Sequence, residues 1–262
     1  MKLELIMAQK RRNWTRNELI VAFNLYCKIP FSKINYRHHL IIKLAEAIGR
    51  TPSAVAWKLV NFASLDPSLT KRGIKGATNT GKLDKIIFEE FTNNWEELVY
   101  ESESLLSKFL KEDKEILVQE SFELKEGLEI ERKVKVRVNQ SFFRSTVLSS
   151  YDFKCCLTGI DIPELLIASH IIPWSKDVKN RLNPQNGICL NNLHDKAFDK
   201  GLITFDNNFK MILSNQLKKN KSESVKYYFH KLEGKTLQLP KRFIPDEHFL
   251  EYHNQKIFQN EK

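Results

Sequence analysis

Along the first hundred residues, apolar side chains recur three and four positions apart. Leu19, Ile20, Phe23, Leu25 and Tyr26 follow Trp14-Thr15-Arg16 at the helical period. Pro30 ends that pattern, because proline lacks the amide hydrogen the next turn needs. Leu40, Ile41, Leu44, Ala45 and Ile48 share one face of a second helix over residues 38–48, stopped by Gly49 as a C-cap. Thr51 and Pro52 restart a third helix as N-cap and first-position proline, and it runs through Val55 and Leu59 toward Phe62. Residues 82–103 carry Leu83, Ile86, Ile87, Phe91, Trp95 and Leu98 at the same spacing and predict one more helix with a core face.

Beyond that point the pattern changes twice. Residues 105–132 mix Glu and Lys with scattered Leu and Ile, which predicts a charged helical connector. Lys133-Val134-Lys135-Val136-Arg137-Val138 alternates polar and apolar and predicts a half-buried strand. Phe142, Phe143, Val147 and Leu148 suggest a helix reaching Tyr151, followed by a turn over residues 155–159. Residues 165–170 and 187–190 read as two strands, with Asn192 capping a short helix that Gly201 ends. The expected fold class is α+β. A helical unit spans residues 1–104, the connector 105–132 and a mixed domain 133–262.

Charge adds a class of partner. Lys and Arg exceed Asp and Glu by 42 to 32, a net +10 that favours polyanions. The four cysteines, Cys27, Cys155, Cys156 and Cys189, contain no C-x-x-C pair, which argues against a closed zinc site and for a reduced, cytoplasmic setting. No apolar run is long enough for a membrane span, and the first residues do not read as a signal peptide, so no membrane partner is expected.

Two segments resemble known families. LAEAIGRTPSAVAWKLVNF resembles a helix-turn-helix of the trihelical Myb-like type, whose second helix enters the major groove of DNA. That resemblance points to Ser53, Ala56, Trp57, Lys58 and Asn61, although a helical protein-interaction module has the same pattern. The glycine-rich segment that follows offers Lys71, Arg72 and Lys75 for phosphate contacts, or is simply a solvated loop.

VRVNQSFFRSTVLSSYDFKCCLTG, ASHIIPW, NPQNGICL and HDKAFDKGLITFD together resemble an HNH endonuclease of the restriction type. The resemblance implies a ββα-metal fold and double-stranded DNA as substrate. It implies His170 as general base, His194 as metal ligand and Asn186 as the residue that orients the His170 ring. The expected cofactor is Mg²⁺ or another divalent cation such as Mn²⁺. His194 would also stand in the first turn of its helix, where free amides favour a phosphate.

Ser169 departs from the wider family, many of whose members place a second metal ligand before the base. Asp195 and Asp199 do not share a helix face with His194, and Asp199 reads as a structural partner. Lys176, Lys179 and Arg181 in the inter-strand loop, with Arg144, are candidate phosphate contacts; Arg144 is alternatively a structural ion-pair partner. The remaining histidines read as surface or satisfied polar residues. Cutting both strands would need two copies, hence an expected homodimer. The alternatives are a non-catalytic DNA-binding regulator with a decayed nuclease fold and an HNH nuclease acting on RNA.

Overall fold

The computed structural model describes residues 12–71, 73, 80–111 and 128–259. It is α+β, with helices dominating and the strands confined to two small antiparallel hairpins. The first helix, α1 (Arg16–Lys28), starts at a capping box. Thr15 accepts the Glu18 amide while the Glu18 carboxylate accepts the Thr15 amide. Helices α2 (His39–Ala47) and α3 (Pro52–Leu65) are joined by a turn in which Gly49 adopts φ +63°. Thr51 caps α3 by accepting the Ala54 amide, with Pro52 at its first position as expected. The short α4 (Pro67–Lys71) follows.

Two expectations are corrected here. The single helix over residues 82–103 is two helices, α5 (Lys82–Asn93) and α6 (Trp95–Leu110), broken at Asn94, whose side chain caps the second. Residues 133–138 are not a strand. They lie inside the long helix α7 (Leu128–Ser150). The alternation of Val with Lys and Arg was a short-range pattern, and burying Phe142, Phe143 and Val147 along one helix outweighs it. The connector expected at residues 105–132 is α6 at its start and α7 at its end; residues 112–127 lie outside the described residues.

The first hairpin pairs β1 (Leu166–His170) with β2 (Gly187–Asn191), running from Leu166 opposite Asn191 to His170 opposite Gly187. Helix α8 (Asn192–Asp199) leaves β2 directly and packs back on both strands. Gly201, at φ +65°, turns the chain into the second hairpin, β3 (Ile203–Phe205) with β4 (Met211–Leu213). Three more helices follow: α9 (Asn215–Lys219), α10 (Glu223–Tyr228) and α11 (Glu247–Lys256).

One buried apolar cluster runs from α1, α3, α5 and α6 through α7 into the hairpin and α8. The core is therefore continuous across the boundary expected at residues 105–132. Arg242 fastens the two halves. Its fully buried guanidinium donates to the carbonyls of Tyr26, Cys27 and Ile29 at the end of α1, and to the Ser149 hydroxyl of α7. All four cysteines are free and buried. Burial raises the Cys27 and Cys189 thiols to about 12, so neither is a thiolate nucleophile or ligand at neutral pH.

Candidate active site

His170 closes β1, and its surroundings are built by α7 and the loop between the strands. The imidazole stacks on Phe143 at 3.8 Å between centroids and meets Trp174 edge-on at 5.5 Å. The stack is possible because residue 187, opposite His170, is glycine. A Cβ there would overlap Val147 Cγ2 and lie 2.9 Å from Phe143 Cζ.

His170 Nε2 lies 2.9 Å from the Arg181 carbonyl, an acceptor, so Nε2 carries the hydrogen and Nδ1 carries the lone pair. Nδ1 has no hydrogen-bond partner among the described residues. Burial lowers the His170 pKa, partly opposed by the Arg181 carbonyl, and the ring is neutral near pH 7. This is the protonation state and tautomer a general base requires.

Asn186 is fully buried and holds the frame around that ring. Its Oδ1 accepts the Ile172 amide at 2.8 Å, and its Nδ2 donates to the Ile172 carbonyl at 3.1 Å and the Asn180 carbonyl at 3.3 Å. One side chain thus ties the residue two after His170 to the residue beside Arg181, whose carbonyl holds the imidazole.

His194 is elsewhere. Asn191 pairs with Leu166, four residues along β1 from His170, and His194 stands in the first turn of α8, which starts there and packs back on the strands. Leu166 and His170 themselves are about 13 Å apart at a strand rise of ~3.3 Å per residue. The ring is 2% exposed. Its Nδ1 is 3.0 Å from Asn191 Oδ1 and its Nε2 3.0 Å from the Tyr228 carbonyl. Both neighbours are acceptors, so the neutral ring donates to one of them and turns its lone pair toward the other, and a cation at that nitrogen would have to displace the oxygen. The role expected of His194 as metal ligand therefore requires one of these two contacts to open.

The phosphate site expected at this helix start is also taken. N-cap Asn191, not Asn192, accepts the Leu193 and His194 amides.

Asp195, one residue on, points the other way. Its carboxyl lies against the Ser169 hydroxyl, next in the chain to His170. That hydroxyl is buried and completes no hydrogen bond, so the pairing is a close polar contact. Burial raises the Asp195 pKa, the Ser169 hydroxyl lowers it, and the nearby Asp199 carboxylate raises it further. Asp199 is also raised, by burial. A half-buried carboxylate beside an orphaned hydroxyl suits a hard, oxygen-seeking cation with few protein ligands. Among the described residues, no group of three or more His, Cys, Asp or Glu is placed to share a metal.

Residues 155–206 match the family model described as HNH endonuclease. The matched segment contains the first hairpin, α8 and β3, and it supports a nuclease-type function. No curated protein matches the chain. No helix among the described residues is long and apolar enough to cross a membrane.

The basic residues expected around the HNH segment divide by environment. Lys176 and Lys179 are exposed on the loop between the strands. Arg181 is paired with Glu96 of α6 and lies over the Trp174 ring at 5.1 Å. Arg144 donates to the carbonyls of Leu166 at 2.8 Å and Pro163 at 3.1 Å, so it props the start of β1.

In the amino-terminal unit, Trp57 of α3 is 65% exposed. Lys58 donates to both oxygens of Asp84 at 2.9 and 2.8 Å, and the buried Asn61 donates to the same carboxylate at 3.3 Å. Both turn inward, away from the open face. Lys71 ends α4, and Arg72 and Lys75 lie outside the described residues.

Sequence reasoning weighed Asp195 only as a partner for His194 and set it aside, and it did not reach Tyr228. Asp195 carried a usable signal: on a helix packed against β1, only one of two consecutive residues can face the strand. Tyr228 carried none, since it reaches His194 only through the tertiary fold.

Proposed function

We propose that this protein is a metal-dependent HNH endonuclease that hydrolyses phosphodiester bonds in double-stranded DNA. The observation that carries the reading is the state of His170: neutral, held through Nε2–H by a backbone carbonyl, with Nδ1 unpaired. In this reading Nδ1 takes a proton from water as the water oxygen bonds to phosphorus and the bond to the leaving oxygen breaks. The Arg181 carbonyl then steadies the imidazolium. Asn186 acts through position only, by fixing the loop that supplies that carbonyl.

Asp195, with the Ser169 hydroxyl, would hold a divalent cation such as Mg²⁺ or Mn²⁺. When bound, the cation supplies charge neutralisation at the phosphate. Lys176 and Lys179 face the duplex backbone, and the outward side of α3, with Ser53 and Trp57, meets it as the second helix of a Myb-like module. A reader joined to a cutter fits restriction or defence against foreign DNA, with two copies acting on the two strands.

A second reading, a DNA-binding regulator without cleavage, draws on the buried, doubly engaged His194 ring. Plasmid nicking with Mg²⁺ separates the two. Wild type is expected to nick. His170→Ala is expected to lose about 10²–10⁴ in rate, the usual worth of a positioned base. Asp195→Asn is expected to lose activity and to recover part of it at raised Mn²⁺. Supercoiled DNA left intact by wild type, yet shifted on a gel, would establish the regulator instead.

A further inference from the structure

A cavity of about 860 Å³ opens at the end of the first hairpin remote from His170. Leu165, Leu193, Tyr227 and Tyr228 form apolar walls, and Lys231 and Lys235 stand among them. Among the described residues, no Asp or Glu lines it. Tyr227 is 61% and Leu193 45% exposed, so these faces are open. The tyrosine rings meet at 88° with centroids 5.1 Å apart, forming a corner. Lys231 Nζ sits 4.6 Å from the Tyr227 centroid. The α8 amides at this end are already capped by Asn191, so the positive groups on offer are the two lysines.

We infer that this cavity receives an unstacked nucleobase of the DNA strand, a subsite that rests on the nuclease reading above. Every base presents a π face that an open aromatic ring can stack against, and this accounts for the tyrosine corner. A base arrives with phosphates on either side, and Lys231 and Lys235 meet them as point charges. An apolar peptide would satisfy the walls but leave both lysines unmatched, so charge complementarity favours the polyanion. The cavity lies about 13 Å along β1 from His170 at ~3.3 Å per residue.

The test uses the full chain in EDTA with a single-stranded oligodeoxynucleotide carrying iododeoxyuridine at successive positions. After irradiation, the cross-linked peptide is mapped, and Kd is measured for wild type, Tyr227→Ala, Tyr227→Phe and Lys235→Ala. The expected result is a cross-link at Tyr227 or Tyr228. Tyr227→Ala should weaken binding about tenfold to a hundredfold, with Tyr227→Phe close to wild type, because stacking needs the ring and not the hydroxyl. Lys235→Ala should weaken binding and flatten its salt dependence. Cross-links that avoid the tyrosines, or a Tyr227→Ala Kd within about twofold of wild type, would overturn the subsite. Plasmid nicking by wild type is scored separately. Nicking without the cross-link leaves the nuclease and removes the subsite; the cross-link without nicking keeps the subsite and removes the nuclease.

Discussion

His170 and His194 show how environment, not residue type, assigns a role. Burial lowers both pKa values. Yet one ring keeps a free lone pair, while the other is held between two oxygens. For His170 the shift has a kinetic consequence. A base works when unprotonated, and its folded pKa lies below the usual 6.5. The acid limb of kcat/KM should therefore have its midpoint below pH 6.5, with activity lost only as pH falls through that lower value. A pH–rate profile checks this, and a midpoint above 6.5 would mean that a different group is titrating. The sequence motif drew attention to β1, β2 and α8. It named His194 on that helix, whose ring meets the Tyr228 carbonyl from far along the chain, whereas Asp195 is the α8 residue beside Ser169.

Elements position the chemistry through close approaches that leave little tolerance. Helix α7 can lie across the hairpin only because residue 187 has no side chain. Gly187→Ala should therefore destabilise the protein by roughly 1–3 kcal/mol, the usual cost of forcing extra volume into a packed site. Nicking should suffer more than stability, since Phe143 would be pushed off the His170 ring. Denaturant unfolding and nicking, measured on the same preparation, check both halves of that expectation. The α2–turn–α3 unit was legible in detail, since Thr51, Pro52 and Gly49 are local signals that act on their own backbone. The start of α7 was not, because Val and Lys alternate there as they would in a strand and only packing decides between the two.

At the scale of the molecule, the amino-terminal helical half and the carboxy-terminal half share one core. Glu96 of α6 pairs with Arg181, the residue whose carbonyl holds His170, so the amino-terminal half touches the site directly. Arg242 is the deepest link. Replacing it with methionine would leave the carbonyls of Tyr26, Cys27 and Ile29 without the donors they now have. At about 1–3 kcal/mol for each buried group left unsatisfied, Arg242→Met should cost several kcal/mol. With a continuous core, wild type should unfold in one transition by both fluorescence and circular dichroism. Two separated transitions in wild type would show that the halves are independent.

What the sequence determined by itself was local and ordered. It carried the helix period, the caps, the strand pair ending in His170 and starting at Gly187, and a chain order that marks an HNH segment. Those features depend on residues within a few positions of one another. Tertiary structure decided the rest: which face of α8 meets β1, which ring keeps a lone pair, and whether two halves have one core or two. Each of those outcomes turns on atoms brought together from distant parts of the chain, such as Tyr228 on His194 or Arg242 on Tyr26. No local pattern records such meetings, because the free energy that selects them comes from burying many surfaces at once.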